Sequence, residues 1–178
     1  MNLEQREMSG HGSSVNGIEF IGPGRNFISV SSDGKCFMWE TSTGKIISTL
    51  LDGGHGALNT ICLGATSSAA CGERPELFFG EGNEFCWIGT ESGDIIGKSI
   101  LGEKCEFLQN FGSSINVLVV GDSGTVYAGT QDGALILIKT NNHEVTTTIH
   151  FDQPIKIVLD IRDKNYKTWY KCNYKSGH

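Results

Sequence analysis

Chemistry in this chain would have to come from its histidines, carboxylates or cysteines. His11 and His55 each follow a glycine and could be imagined as metal ligands or general bases, but that repeated position suits a structural role. His143 and His150 lie near a turn and a strand end, with no second histidine at the spacing of a zinc site, and read as solvated side chains. Asp33, Glu91 and Asp132 fall on turns and would have to converge to ring a catalytic or metal-binding centre; turn chemistry alone already accounts for them. The six cysteines (Cys36, Cys62, Cys71, Cys86, Cys105 and Cys172) form no Cys-x-x-Cys pair and read as buried reduced thiols. Glycine-rich phosphate and dinucleotide loops and the nucleophile-elbow pattern are also missing from the sequence. No catalytic residue, metal ligand or cofactor site is assigned, and a non-enzymatic protein is expected.

The elements that hold these residues follow from glycine content and repetition. Glycine supplies 24 of 178 residues and proline only 3, which favours tight turns over helices. Apolar and β-branched residues come in strand-length bursts such as 27–30 and 117–120. The stretch Gly12-Ser13-Ser14-Val15-Asn16 returns as Gly56-Ala57-Leu58-Asn59 and as Gly112-Ser113-Ser114-Ile115-Asn116, each time opening an apolar run. A second signpost follows each: Ser31-Ser32-Asp33-Gly34, Thr90-Glu91-Ser92-Gly93 and Thr130-Gln131-Asp132-Gly133, where Asp-Gly or Ser-Gly suits a hairpin turn.

Ser92 to Asp132 and Ile115 to Ile155 are both 40 residues, which sets the repeat length. Only the second unit is longer, and the excess falls at 64–82, between its first and second strands. Four strands are expected in each unit: 15–20, 27–32, 35–41 and 45–50; 58–63, 84–90, 94–100 and 105–111; 115–120, 125–130, 134–140 and 145–151. Small four-stranded sheets in series can cover their apolar faces by stacking on one another, so the expected fold is all-β, an incomplete β-propeller of antiparallel blades. Its parts are an amino-terminal arm at 1–9, blades at about 10–52, 53–111 and 112–151, the start of a fourth at 152–161, and a tail at 162–178.

Gly10-His11, 27 intervening residues and then Trp39-Glu40, with Ser29, Ser31 and Asp33 between them, closely resemble the WD-repeat family, whose blades open with Gly-His and close a strand with Trp-Asp. The resemblance covers about 10–160 and implies a buried polar series of His11, Ser31 (or Ser29), Asp33 and Trp39. The second unit keeps Gly54-His55 and Thr90 but has Ser92 and Lys98 where the aspartate and tryptophan belong; the third keeps Thr130 and Asp132 but has Ile138 for the tryptophan. The same resemblance implies a scaffold or adaptor in a multiprotein complex. Its protein-binding loops would carry Ser13, Ser14, Ser32, Gly56, Ala57, Glu91, Ser113, Ser114 and Gln131.

Charge bears on the partners. The net charge of -6 argues against a nucleic-acid binder, yet Arg162, Lys164, Lys167, Lys171 and Lys175 against Asp163 make the tail +4, leaving -10 for the remainder. With Tyr166, Tyr170 and Tyr174 beside the lysines, the tail offers an alternative reading as an RNA-associated propeller. A quinone-dependent propeller dehydrogenase is the enzymatic alternative. The amino end lacks an apolar signal region, so an intracellular protein, cytoplasmic or nuclear, is expected, with no membrane partner. Three blades and a strand fall short of the about four to eight that close a ring, so a fragment of a longer propeller, self-association or a completing chain is expected.

Overall fold

The structure, a computed structural model, describes residues 7–65, 84–100, 105–121, 124–156 and 158. Most of the 64–82 insertion, the 162–178 tail, Cys71 and Cys172 lie outside the described residues. Twelve strands form three four-stranded antiparallel sheets, and no helix occurs among the described residues. The first sheet is β1 (Val15–Ile21), β2 (Asn26–Ser31), β3 (Lys35–Glu40) and β4 (Lys45–Asp52). The second is β5 (Leu58–Ala65), β6 (Glu84–Thr90), β7 (Asp94–Ser99) and β8 (Cys105–Asn110). The third is β9 (Ile115–Gly121), β10 (Thr125–Thr130), β11 (Ala134–Lys139) and β12 (Val145–His150). Every boundary falls within two residues of its expected place. In each sheet the strands pair in chain order, each with the next.

The strands differ along that order because their burial differs. Middle strands such as Ala-Leu-Ile-Leu-Ile-Lys in β11 are apolar on both faces, since one face packs on the second sheet and the other on Ile155 and Val158. The last strand of the third sheet, Val-Thr-Thr-Thr-Ile-His, is largely exposed and uses β-branched threonine, which suits an extended edge. First strands meet first strands: β1 touches β5 and β5 touches β9.

Apolar side chains fill the spaces between sheets. Ile28, Val30, Cys36, Leu58, Ile61, Cys86, Ile88 and Ile96 join the first sheet to the second. Phe85, Trp87, Ile95, Ile115, Leu118, Val126 and Ile136 join the second to the third. Ile155 and Val158, from the expected start of a fourth unit, pack on Tyr127 and Leu135 of the third sheet. Cys36, Cys62 and Cys86 are buried thiols, Cys86 Sγ donating to the Lys98 carbonyl at 3.4 Å, and burial pushes those of Cys36 and Cys62 well up.

Each first strand carries one extra residue, always the asparagine of the repeat. Val15 pairs with Ser31 and Gly17 with Val30, skipping Asn16; Asn59 and Asn116 are skipped in the same way. A bulge of this kind frees a residue from the ladder and re-aims it. Here it sends the asparagine sideways. Asn16 Nδ2 donates to the Leu58 carbonyl at 2.7 Å, Asn59 Nδ2 to the Ile115 carbonyl at 3.2 Å, and Asn116 Nδ2 to the Ile155 carbonyl at 3.2 Å. The same bond thus links each unit to the next.

Candidate interaction surface

The polar series of the first sheet starts at the indole. Trp39 Nε1–H donates to Ser29 Oγ at 2.7 Å, and Ser29 Oγ lies 2.6 Å from His11 Nε2. The Asp33 carboxylate can only accept, so His11 Nδ1 carries a proton and donates to Asp33 Oδ2 at 3.0 Å; in the neutral ring Nε2 then accepts from the Ser29 hydroxyl. Asp33 also accepts from the backbone N–H groups of Gly12 at 2.7 Å and Lys35 at 2.9 Å. Desolvation by itself would raise the Asp33 carboxyl, but the bonds from Gly12, Lys35, His11 and Ser31 outweigh it and hold the group at about 2. Phe27, Phe37 and Trp39 enclose the series, with the His11 ring 4.6 Å from that of Phe37.

Ser29, not Ser31, is the bridging hydroxyl, which corrects the sequence expectation. Phe27 pairs with Trp39 across β2 and β3, so Ser29 is one pleat from the indole while Ser31 sits further on, at the turn. The Ser31 hydroxyl is committed there, accepting from Asp33 N at 3.1 Å. Thr90 and Thr130 do the equivalent work, accepting from Asp94 N and Ala134 N, both at 2.8 Å. The retained threonines of the second and third units therefore mark the turn. At the equivalent of Ser29 those units have Ile88 and Ala128, and at that of Trp39 they have Lys98 and Ile138.

The second unit stabilises its turn by another route. Ser92 Oγ donates to the His55 carbonyl at 3.1 Å, His55 Nδ1 lies 3.8 Å from Asp94, and Asn110 Nδ2 donates to Asp94 at 2.7 Å and to the Ser92 carbonyl at 3.0 Å. In the third unit Thr130 donates to Asp132, whose carboxyl is lowered chiefly by that bond. Asp33, Glu91 and Asp132 thus serve separate turns. Among the described residues no group of three His, Cys, Asp or Glu side chains is placed to hold a metal ion.

His143 is a second correction, because it is not simply solvated. Its ring lies 5.8 Å from Phe85, 5.7 Å from Trp87 and 5.7 Å from Phe107, so the turn after β11 reaches over the second sheet. Its Nε2 is buried without a hydrogen-bond partner among the described residues, and its backbone is left-handed at φ 57°.

The expected binding-loop residues come together at one end of the sheets. Ser13 and Ser14, Gly56 and Ala57, and Ser113 and Ser114 enter the three first strands; Ser32, Glu91 and Gln131 open the three turns. One backbone bond frames each pair: Ser32 N to the Ser14 carbonyl, Glu91 N to that of Ala57, and Gln131 N to that of Ser114, at 2.9, 2.9 and 2.8 Å. Turns and entries of successive units also touch. A Cβ on Gly34 would lie 3.0 Å from the Gly56 carbonyl, and one on Gly93 2.9 Å from Ser113 backbone atoms, so glycine's small size and positive φ are needed at both. The result is one continuous surface with a constant backbone frame. Ser32, Glu91 and Gln131 are exposed on it and differ in chemistry.

No protein-family model and no curated protein matches this chain. Among solved structures it is similar to the computationally designed Ika4 protein, with a TM-score of 0.70 and 17% identity over 96% of this chain and 99% of that one. It is also similar to the computationally designed Ika8 protein, with a TM-score of 0.67 and 16% identity over 88% of this chain and 43% of that one. At such identities the likeness is one of fold.

Proposed function

We propose that the three sheets are blades of an incomplete, WD-repeat-like β-propeller and that the chain is a protein-interaction scaffold. The observation that supports this best is the continuous surface at 13–14 and 32, 56–57 and 91, and 113–114 and 131. A fixed frame presenting variable side chains is how a rigid scaffold positions loops for recognition. The Asp33–His11–Ser29–Trp39 series supports the family reading and has a structural role, because every polar group in it is already bonded to another. Mixed small polar and acidic side chains on the surface suit another protein better than a polyanion. Photoreactive residues placed singly at Ser32, Glu91 and Gln131 would then cross-link one common set of proteins in cells. The same probe at Thr43 or Asn142, on turns at the opposite end of the sheets, would not. Equal labelling from both ends, or none from the first three, counts against the reading.

A further inference from the structure

This inference rests on the blade reading and adds a partner to it. Three positions of each first strand face the preceding sheet: Leu58, Ile61 and Leu63 in β5, and Ile115, Leu118 and Val120 in β9. Ile155 and Val158 hold the first two of these positions on the third sheet. Leu58 and Ile115 are 0% exposed, Ile61 5%, Leu118 4%, Ile155 4% and Val158 5%. Val15, Ile18 and Phe20 occupy the same three positions in β1, in the same register, and are 48%, 54% and 59% exposed. The first two positions of this apolar stripe, buried in every later unit, are open in the first, and so is the third, which is partly buried at Leu63 and Val120.

The third sheet holds the matching groove. Val117, Val119, Tyr127, Leu135 and Leu137 line it. Gly129 provides a notch that any Cβ would close against Ile155 and Val117, as Gly89 does for Ile115 in the second sheet. Its present occupant is a segment without strand pairing at 154–156 and 158, tied by Ile155 N to the Thr130 carbonyl at 3.0 Å and by Asn116. β1, by contrast, is a full strand paired along its length with β2.

We propose that a second copy of this chain lays Val15, Ile18 and Phe20 of its β1 into the third-sheet groove, displacing Ile155 and Val158. Made reciprocally, the contact gives a closed two-fold ring of six sheets, within the about four to eight that propellers use. Asn116 would then donate to the incoming Val15 carbonyl, the equivalent of Leu58 and Ile115.

Light scattering on the 178-residue chain across a concentration series tests this, with a species of twice the 19.3 kDa chain mass expected. Ile18→Glu, on an exposed side chain, should keep the β signature in circular dichroism and leave only single chains. Ile155→Ala weakens the competing segment and should tighten the dimer by about tenfold. Single chains at every concentration, open-ended polymers, a dimer indifferent to Ile18→Glu, or an Ile155→Ala dimer no tighter than the parent would each overturn the proposal. Ile61→Glu separates this from the reading beneath it. If that change unfolds the chain while the parent stays single, the stacking stands and only the exchange fails; if it is tolerated, the stacking itself is wrong.

Discussion

Asn16 of the first sheet donates its side-chain N–H to the Leu58 carbonyl of the second at 2.7 Å, across a gap otherwise filled by apolar side chains. Asn59 and Asn116 repeat the bond, and each also reaches a loop side chain, Ser114 Oγ and Gln131 Oε1, both at 3.0 Å. The bulged asparagine therefore fixes how one sheet sits on the next and steadies the surface above.

Asn59→Ala removes two such bonds and should cost about 1–2 kcal/mol in urea unfolding. Asn59→Asp should cost at least as much, because a carboxylate cannot donate to the Ile115 carbonyl. No loss in either variant would show that the bond plays no part in holding the sheets together.

Trp39→Ala should cost about 3–5 kcal/mol, the range for deleting a large buried aromatic, whereas Trp39→Phe loses mainly the donor to Ser29 and should cost about 1–2 kcal/mol. Lys98→Ala and Ile138→Ala should cost less than Trp39→Ala, because neither residue completes an indole–hydroxyl–imidazole series. If Trp39→Ala costs under about 1 kcal/mol, the indole is not buried in solution.

Acid should act through Asp33. Its carboxyl is lower in the folded chain, at about 2, than in an unfolded one, so its contribution is present above the ordinary carboxylate value near 3.8 and is lost as pH falls from there toward 2. Partial solvent screening keeps that contribution to roughly 1 kcal/mol. Asp33→Asn should remove this part of the pH dependence and lower stability at neutral pH. Parallel profiles for the two proteins between pH 5 and about 2 would contradict the assignment.

The repeat made most of the fold legible, because hairpin glycines and apolar bursts are local signals that survive when residues of the polar series are lost. Ser29 was ambiguous with Ser31 because both face the same side of β2, and only strand pairing shows which one reaches Trp39. Comparing units carried the answer: Thr90 and Thr130 persist at the place of Ser31 where the tryptophan is gone, so that position serves the turn. Asn16, Asn59 and Asn116 were visible as a repeated residue, but their role depends on a bulge that sequence spacing does not reveal. His143 could not be placed from sequence, because its neighbours Phe85, Trp87 and Phe107 belong to a different sheet.

Replacing Ser32, Glu91 and Gln131 together by alanine tests the scaffold claim most directly. All three are exposed, and losing the solvent-facing bonds that Ser32 and Gln131 accept from Asn16 and Asn116 leaves each asparagine its carbonyl partner, so each change should alter stability by no more than about 0.5 kcal/mol. Quantitative mass spectrometry of proteins co-purified with the parent chain and with the triple variant is the measurement, made beside urea unfolding of both. The account predicts an unfolding midpoint close to the parent's and the loss of one defined set of partner proteins. An unchanged partner set on an equally stable variant would contradict it.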